Sequence, residues 1–192
     1  MPSKSSSVDF IPTSLLKLCP SVFSEIIARL VNLSFSEGIF PAKFKAAAVT
    51  PLLKKPSLDP DNPSSYRPIS NLNNISKIIE RLFLFRLYPH VTSSPNFNHL
   101  QSAYRPHHST ETALLRIHND LVAAIDQGDV GALVLLDLSA AFDTVDHSVL
   151  IDVMRERFGI TGDALQWMRS YLSNRTQAVN IASTSSSIFQ LT

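Results

Sequence analysis

From Pro12 onward, apolar residues recur at helical spacing. Leu15, Leu16 and Leu18 lead up to Pro20, which suits the first position of a second helix. Val22, Phe23, Ile26, Ile27, Leu30, Val31 and Leu33 then form an apolar stripe, and Gly38 is placed to end it. Ala46 to Leu53 reads as a strand, with Pro51 suggesting an edge position. Lys54 and Lys55 close it, and the turn-rich Pro56–Pro63 comes next. Asn73 or Asn74 caps a helix to about Tyr88, with Ile75, Ile78, Ile79, Leu82, Phe83 and Leu87 inward; Pro89 should end it. Residues 89–100 read as a polar loop. Ser109 or Thr110 caps the next helix, with Leu114, Ile117, Leu121, Val122 and Ile125 inward, and Gln127–Gly128–Asp129 reads as a hairpin-like lead into a central strand.

That strand is five consecutive apolar residues, Ala132 to Leu136, bounded by Gly131 and Asp137: the pattern of a fully buried strand. Asp146 can then cap a helix over 147–158, with Val149, Leu150, Val153, Met154 and Phe158 inward and Gly159 as its stop. Thr161 caps another, carrying Leu165, Trp167, Met168, Tyr171 and Leu172. Residues 177–182 and 188–191, split by Ser183–Ser187, read as a β-hairpin. Residues 1–11 read as a disordered lead-in, 12–128 as a helical N-terminal region, and 129–192 as a unit built on the central strand.

At 192 residues and 44% apolar, the chain can build one sizeable core or two small lobes. No apolar run is long enough to span a bilayer, and no signal-type segment comes after the polar start. The single Cys19 excludes an internal disulfide and a cysteine-based zinc site, so a reducing, intracellular setting, nucleus or cytoplasm, is expected. The net charge of +1 hides an asymmetry: residues 1–116 carry 13 Lys/Arg against 7 Asp/Glu, and residues 117–192 carry 4 against 9. One half could neutralise phosphates while the other gathers metal, although ordinary scatter of surface charge gives the same count.

An aspartate at the end of a buried strand emerges at the rim of the core. There Asp137 could stay ionised and hold a hard cation such as Mg²⁺. It could equally just stop the strand or cap the next helix. His107 and His108 have no third ligand at metal-binding spacing and read as surface residues. His147 reads as packing at a helix start.

Leu135-Leu-Asp137-Leu-Ser-Ala-Ala-Phe142-Asp143-Thr-Val-Asp-His147 resembles the first catalytic motif of reverse transcriptases from non-LTR (LINE-like) retrotransposons. Three other stretches resemble the same family in the same order. Tyr66-Arg67-Pro-Ile-Ser70 is similar to a hallmark of its fingers. Gln101-Ser-Ala-Tyr104-Arg105, ending in Ser109-Thr110, is similar to a Gln-x-Gly-Phe-Arg segment, with Ala103 where glycine is usual and Tyr104 where Phe is usual. Trp167-Met-Arg-Ser-Tyr171-Leu-Ser-Asn-Arg175-Thr-Gln177 is similar to a fourth, and the Pro51-Leu-Leu-Lys54-Lys55 strand end to a stretch ahead of the fingers.

The resemblance implies an α+β fold: helix-rich fingers plus the first part of the palm of a right-hand polymerase. It implies RNA-directed DNA polymerisation, with an RNA template, a DNA primer, deoxynucleoside triphosphates and Mg²⁺. The metal falls to Asp137 with the adjoining Leu138. Phe142 packs under the nucleotide sugar and discriminates against a 2′-hydroxyl. Arg67, Arg105, Lys54 and Lys55 fall near the nucleotide triphosphate or template, and Arg175 near nucleic-acid phosphate; Asp143 is structural. Ala103 in place of glycine would strain a turn if its φ must be positive. The family's next motifs, Gly-x-Pro-Gln-Gly-Ser and Tyr/Phe-Ala-Asp-Asp, are not among these residues. The expectation is therefore a fragment truncated before the central catalytic hairpin and inactive alone. The alternatives are a non-catalytic nucleic-acid-binding remnant or a decayed open reading frame.

Overall fold

Trp167 has 1% of its surface exposed, and the packing of one part of the chain is arranged around it. A computed structural model describes residues 8–138 and 140–191. The chain divides into two units, one formed by residues up to 92 together with those from 147 onward, the other by residues 93–146. The sequence reading of residues 1–7 as disordered lies outside the described residues. Residues 8–11, read the same way, are instead tied to a helix start: the carbonyls of Val8 and Ile11 accept from the Asn73 and Asn74 side chains, and the Asp9 carboxylate from the Asn74 amide.

The first unit carries α1 (Thr13–Leu18), α2 (Pro20–Ser36) and α3 (Asn74–Ser93, whose last residue falls beyond the division). It also carries two later helices, α5 (His147–Phe158) and α6 (Gly162–Leu172). Pro20 opens α2 as expected, where its missing N–H costs nothing. The apolar stripe of α2 is wider than the surface covering it. Val31 is buried, Phe23, Ile27 and Leu30 are half-buried, and Val22, Ile26 and Leu33 stay exposed. Gly38 comes after α2 with φ +63°, and a Cβ there would stand 3.0 Å from Gln166 Cβ and 3.2 Å from the Asp163 carbonyl. Glycine is needed at Gly38 both for the turn and for the approach of α6.

Asn73 caps α3, its side-chain oxygen accepting from the Ile75 amide at 2.8 Å. Pro89 does not end this helix, contrary to the sequence expectation; it lies inside α3, which runs on to Ser93. The extra turn is held by two tertiary contacts and one local bond. His90 Nε2 bonds the Phe158 carbonyl at 2.6 Å, the Thr92 hydroxyl donates to the Tyr88 carbonyl at 2.8 Å, and Val91 packs on a second core. Together these outweigh a proline cost of about 3 kcal/mol in a helix interior.

Two cores result. In the larger, Leu16, Val31, Phe40, Ile75, Ile79 and Phe83 surround Trp167. Phe83 stacks on the indole at 3.9 Å between centroids, while Phe35 and Phe40 meet it edge-on at 5.6 and 5.4 Å. The indole N–H donates to the Ser34 hydroxyl at 2.9 Å, so the buried polar atom is satisfied. In the smaller core, Ile151, Met154, Ile160 and Leu165 join α5 to α6. Gly159, at φ +66°, stops α5 as expected. Ile151, absent from the predicted inner face, is buried, whereas the predicted Val149 is exposed.

The sheet belongs to the same unit: β1 (Ala46–Leu53), β2 (Tyr66–Leu72), β3 (Thr176–Ile181), β4 (Thr184–Ser185) and β5 (Phe189–Gln190). β1 pairs antiparallel with β2 and parallel with β3, and β3 also pairs with β4 and β5. The strand expected at an edge is therefore central. Pro51 is nevertheless accommodated as an edge residue, because pairing with β3 ends at Val49. The predicted hairpin of 177–182 with 188–191 is present as β3 with β5, with β4 forming an additional tight pairing.

The second unit contains α4 (Thr110–Asp126). Ser109 and Thr112 form a reciprocal capping box at its start. Its end is not hairpin-like: Gly128, at φ +84°, donates to the Ile125 carbonyl and Asp129 to the Ala124 carbonyl, which closes the helix. The predicted inward face of α4 is not buried; Ile117 and Leu121 are half-buried, and Leu114, Val122 and Ile125 are exposed. Nor is Ala132–Leu136 a buried strand. It is irregular, and Leu136 is 91% exposed. A strand needs a ladder partner and a covered face. Among the described residues of 93–146 there is no strand, and none of those residues is buried.

Candidate nucleic-acid and nucleotide site

Asp137 stands at the end of this unpaired apolar segment, exposed, with no hydrogen bond or ion pair among the described residues. Leu138 can contribute only its main-chain carbonyl to a metal. Residues 140–144 form the next turn, in which the Asp143 and Thr144 amides donate to the Ala140 carbonyl. Phe142 projects from it, 77% exposed, and meets Tyr104 edge-on at 6.3 Å. The motif residue Phe142 is thus brought against a residue of the Gln101–Arg105 stretch. The strain expected at Ala103 is not there. The positive φ values nearby fall on Tyr104 (61°) and His107 (63°).

Arg105 is engaged within its own loop. Its guanidinium donates to the His99 and Gln101 carbonyls at 3.0 and 3.1 Å and lies over the Phe97 ring at 5.4 Å. That arrangement staples residues 97–105 together.

In the other unit, Lys54, Lys55 and Arg67 gather at one end of the β1–β2 hairpin. Arg67 is exposed and faces Leu52 in the register. Lys54 holds the connecting loop, its ammonium donating to the Ser64 carbonyl at 2.8 Å and its amide to the Ser65 carbonyl at 2.9 Å. Lys55 is exposed. All three cations are exposed near this end of the hairpin, where they can meet a polyanion, and the planar fork of Arg67 suits phosphate oxygens.

Arg175 lies at the far end of the same sheet strands. It donates to the Tyr171 carbonyl at 2.9 Å, and its guanidinium covers the Tyr171 ring at 4.7 Å. Beside it is Lys45, a cation that the sequence reading left without a role. Lys45 is only 6% exposed, and its ammonium donates to the Ser173 carbonyl at 3.1 Å. Burial first, and then the Arg175 guanidinium, hold the Lys45 pKa below its ordinary value. Burial and Glu80 push the Tyr171 hydroxyl up, with Arg175 opposing them. The one signal for Lys45 in the sequence was a lysine between Phe44 and an alanine run.

A family model for reverse transcriptase (RNA-dependent DNA polymerase) matches residues 53–191, which span the Arg67, Arg105, Asp137 and Arg175 stretches in order. The chain belongs to the reverse transcriptase family. It is 30% identical over 93% of its length to a Drosophila melanogaster protein named "Probable RNA-directed DNA polymerase from transposon BS". It is 28% identical over 96% of its length to the RNA-directed DNA polymerase from mobile element jockey of the same species, and 26% identical over 97% to that of Drosophila funebris. These are polymerases of non-LTR retrotransposons, as the motifs around Asp137 implied. The chain spans about a fifth of their length: 19% of the first and 20% of the other two. This reverse transcriptase domain has mixed helix and sheet content, and no helix among its described residues is long and apolar enough to cross a membrane.

Enzymes of this family use divalent metal ions. Two-metal phosphoryl transfer requires several carboxylates around both ions. Among the described residues no three His, Cys, Asp or Glu side chains cluster to hold a metal. Among the described residues, the donor set around Asp137 therefore does not fit a complete two-metal centre.

Proposed function

We propose that this chain supplies the fingers and the first part of the palm of a right-hand RNA-directed DNA polymerase. In that role it binds an RNA template and a DNA primer and contributes Asp137 to catalysis without completing the catalytic centre. The reading is carried by the family match across residues 53–191, in which the unpaired, exposed Asp137 carboxylate stands at the motif position of a metal-binding aspartate. Phe142, projecting from the turn after it, is the residue that selects against a ribose 2′-hydroxyl. Arg67, Lys54 and Lys55 face template or triphosphate phosphates, as does Arg105 in its stapled loop. Asp137 needs further carboxylates before the primer 3′-hydroxyl and an incoming deoxynucleoside triphosphate could react, so no chemical step is assigned to these residues alone.

A second reading is favoured by the cation cluster at the hairpin end: a module that binds nucleic acid without catalysis. Both readings require affinity for an RNA–DNA primer–template that falls steeply with salt, because binding releases counterions from the phosphates. Fluorescence anisotropy across a salt series tests this. Arg67→Ala should weaken binding several-fold and lower the salt slope by about 0.9. Affinity that is absent, or that does not change with salt, would remove both. Mg²⁺-dependent nucleotide incorporation separates them in a longer chain that includes the Ala-Asp-Asp hairpin. There, loss of incorporation in Asp137→Ala supports the polymerase reading.

A further inference from the structure

We propose that Lys45 and Arg175 form a two-cation site for one phosphodiester of a nucleic-acid strand crossing the turn at residues 173–175. The site deepens the polymerase reading and rests on it. The register of the sheet creates it. Ala46 pairs with Thr176 in the parallel β1–β3 ladder, so the residues just before them, Lys45 and Arg175, come side by side at the start of both strands.

Each cation is held in place by the fold. The Lys45 stem is buried, and its ammonium is fixed to the Ser173 carbonyl. The Arg175 guanidinium is fixed to the Tyr171 carbonyl and lies over Tyr171 and, at 5.9 Å, Phe40. Neither makes an ion pair among the described residues. Glu80, the carboxylate that reaches this network, accepts from the Ser76 hydroxyl at 2.9 Å and interacts with Tyr171.

Two adjacent cations, one of them buried, without an acid between them are costly. An ammonium with one carbonyl partner retains two donors, and a guanidinium with one bond retains more. A phosphate oxygen pair satisfies that donor geometry and cancels the repulsion. Access is over Ser173 and Asn174, both exposed, with Asn174 turning the chain at φ +53°. An open turn of this kind suits a phosphate carried along a strand.

The test is the affinity of the 192-residue chain for a labelled RNA–DNA primer–template across a salt series, with Lys45→Met, Arg175→Gln and the double variant, alongside thermal melting of each. Each single change should weaken binding about tenfold, as expected for a charge-assisted contact. The double variant should lower the salt slope by about 0.9, the value for one phosphate. Lys45→Met should melt at or above the wild-type temperature, because methionine keeps the stem and removes the uncompensated charge. Unchanged affinity and slope in Arg175→Gln and Lys45→Met would overturn the site while leaving the nucleic-acid reading intact. So would lost binding in step with lost folding, since Lys45 would then be only a strut to Ser173. A wild-type chain without affinity for the duplex would overturn both. Melting with inorganic phosphate separates the two sources of this anion. A phosphate-induced shift that needs Lys45, without duplex affinity, would contradict assignment to a strand.

Discussion

The two units of the chain have comparable supplies of apolar residues and opposite fates for them. In the first, Trp167, Phe40, Ile79 and Phe83 are closed around one another. In the second, Leu114, Leu115, Val134, Leu135 and Leu136 are exposed, and no described residue from 93 to 146 is buried. Apolar content permits burial, but a covering layer has to exist. The first unit has α2, α3 and α6 to lay against one another; among its described residues the second has α4 and an irregular apolar segment. The motif that carries Asp137 lies in the unit without a core, and the unit with a core carries Lys45, Lys54, Lys55, Arg67 and Arg175.

The largest expected effect that could break this contrast is at Trp167. Trp167→Ala should cost about 3–5 kcal/mol in denaturant unfolding of the chain. Leu135→Ser should change stability by less than about 0.5 kcal/mol, as for an exposed position. Similar costs for both would mean that residues 130–136 are packed. Next in size is Ser34→Ala, which removes the acceptor of the buried indole N–H and should cost about 1–3 kcal/mol. A neutral result would mean that the indole finds another partner.

The smallest effect concerns pH. The folded Lys45 pKa lies below that of the unfolded chain. Between that lowered value and the ordinary lysine value of about 10.4, the unfolded chain binds more protons, so stability from this group rises with pH. The raised Tyr171 value acts oppositely above about 10, where the unfolded tyrosine ionises first. Melting against pH in Lys45→Met should lose the rise and keep the alkaline fall. A rise retained in the variant would assign it to another group.

Much of the first unit was legible in the sequence because its signals are local and its elements do find partners. The bounds of β1 can be read from an alanine-rich run ending at Lys54, and those of α5 from Asp146 and Gly159. In the second unit the start of α4 was legible too: of the two cap candidates, Ser109 and Thr110, it is Ser109 that caps the helix. Pro89 misled because the turn beyond it is held by His90 on Phe158, 68 residues away. The apolar run at 132–136 misled because periodicity reports what a segment could bury, not whether a neighbour covers it. The site divides the same way. Asp137, Phe142 and Arg67 were singled out as candidates through motifs that are continuous in sequence. Lys45 was missed because its meaning lies in Ser173, 128 residues on, and in the β1–β3 register.

The most direct measurement is primer extension by the 192-residue chain on an RNA template with Mg²⁺ and deoxynucleoside triphosphates, with binding of the same primer–template monitored in the same mixture. The expected result is a bound duplex and no incorporation, because among the described residues no carboxylates gather with Asp137 to complete a two-metal centre. Mg²⁺-dependent extension that disappears in Asp137→Ala would contradict this and would mean that these residues assemble a working centre by themselves.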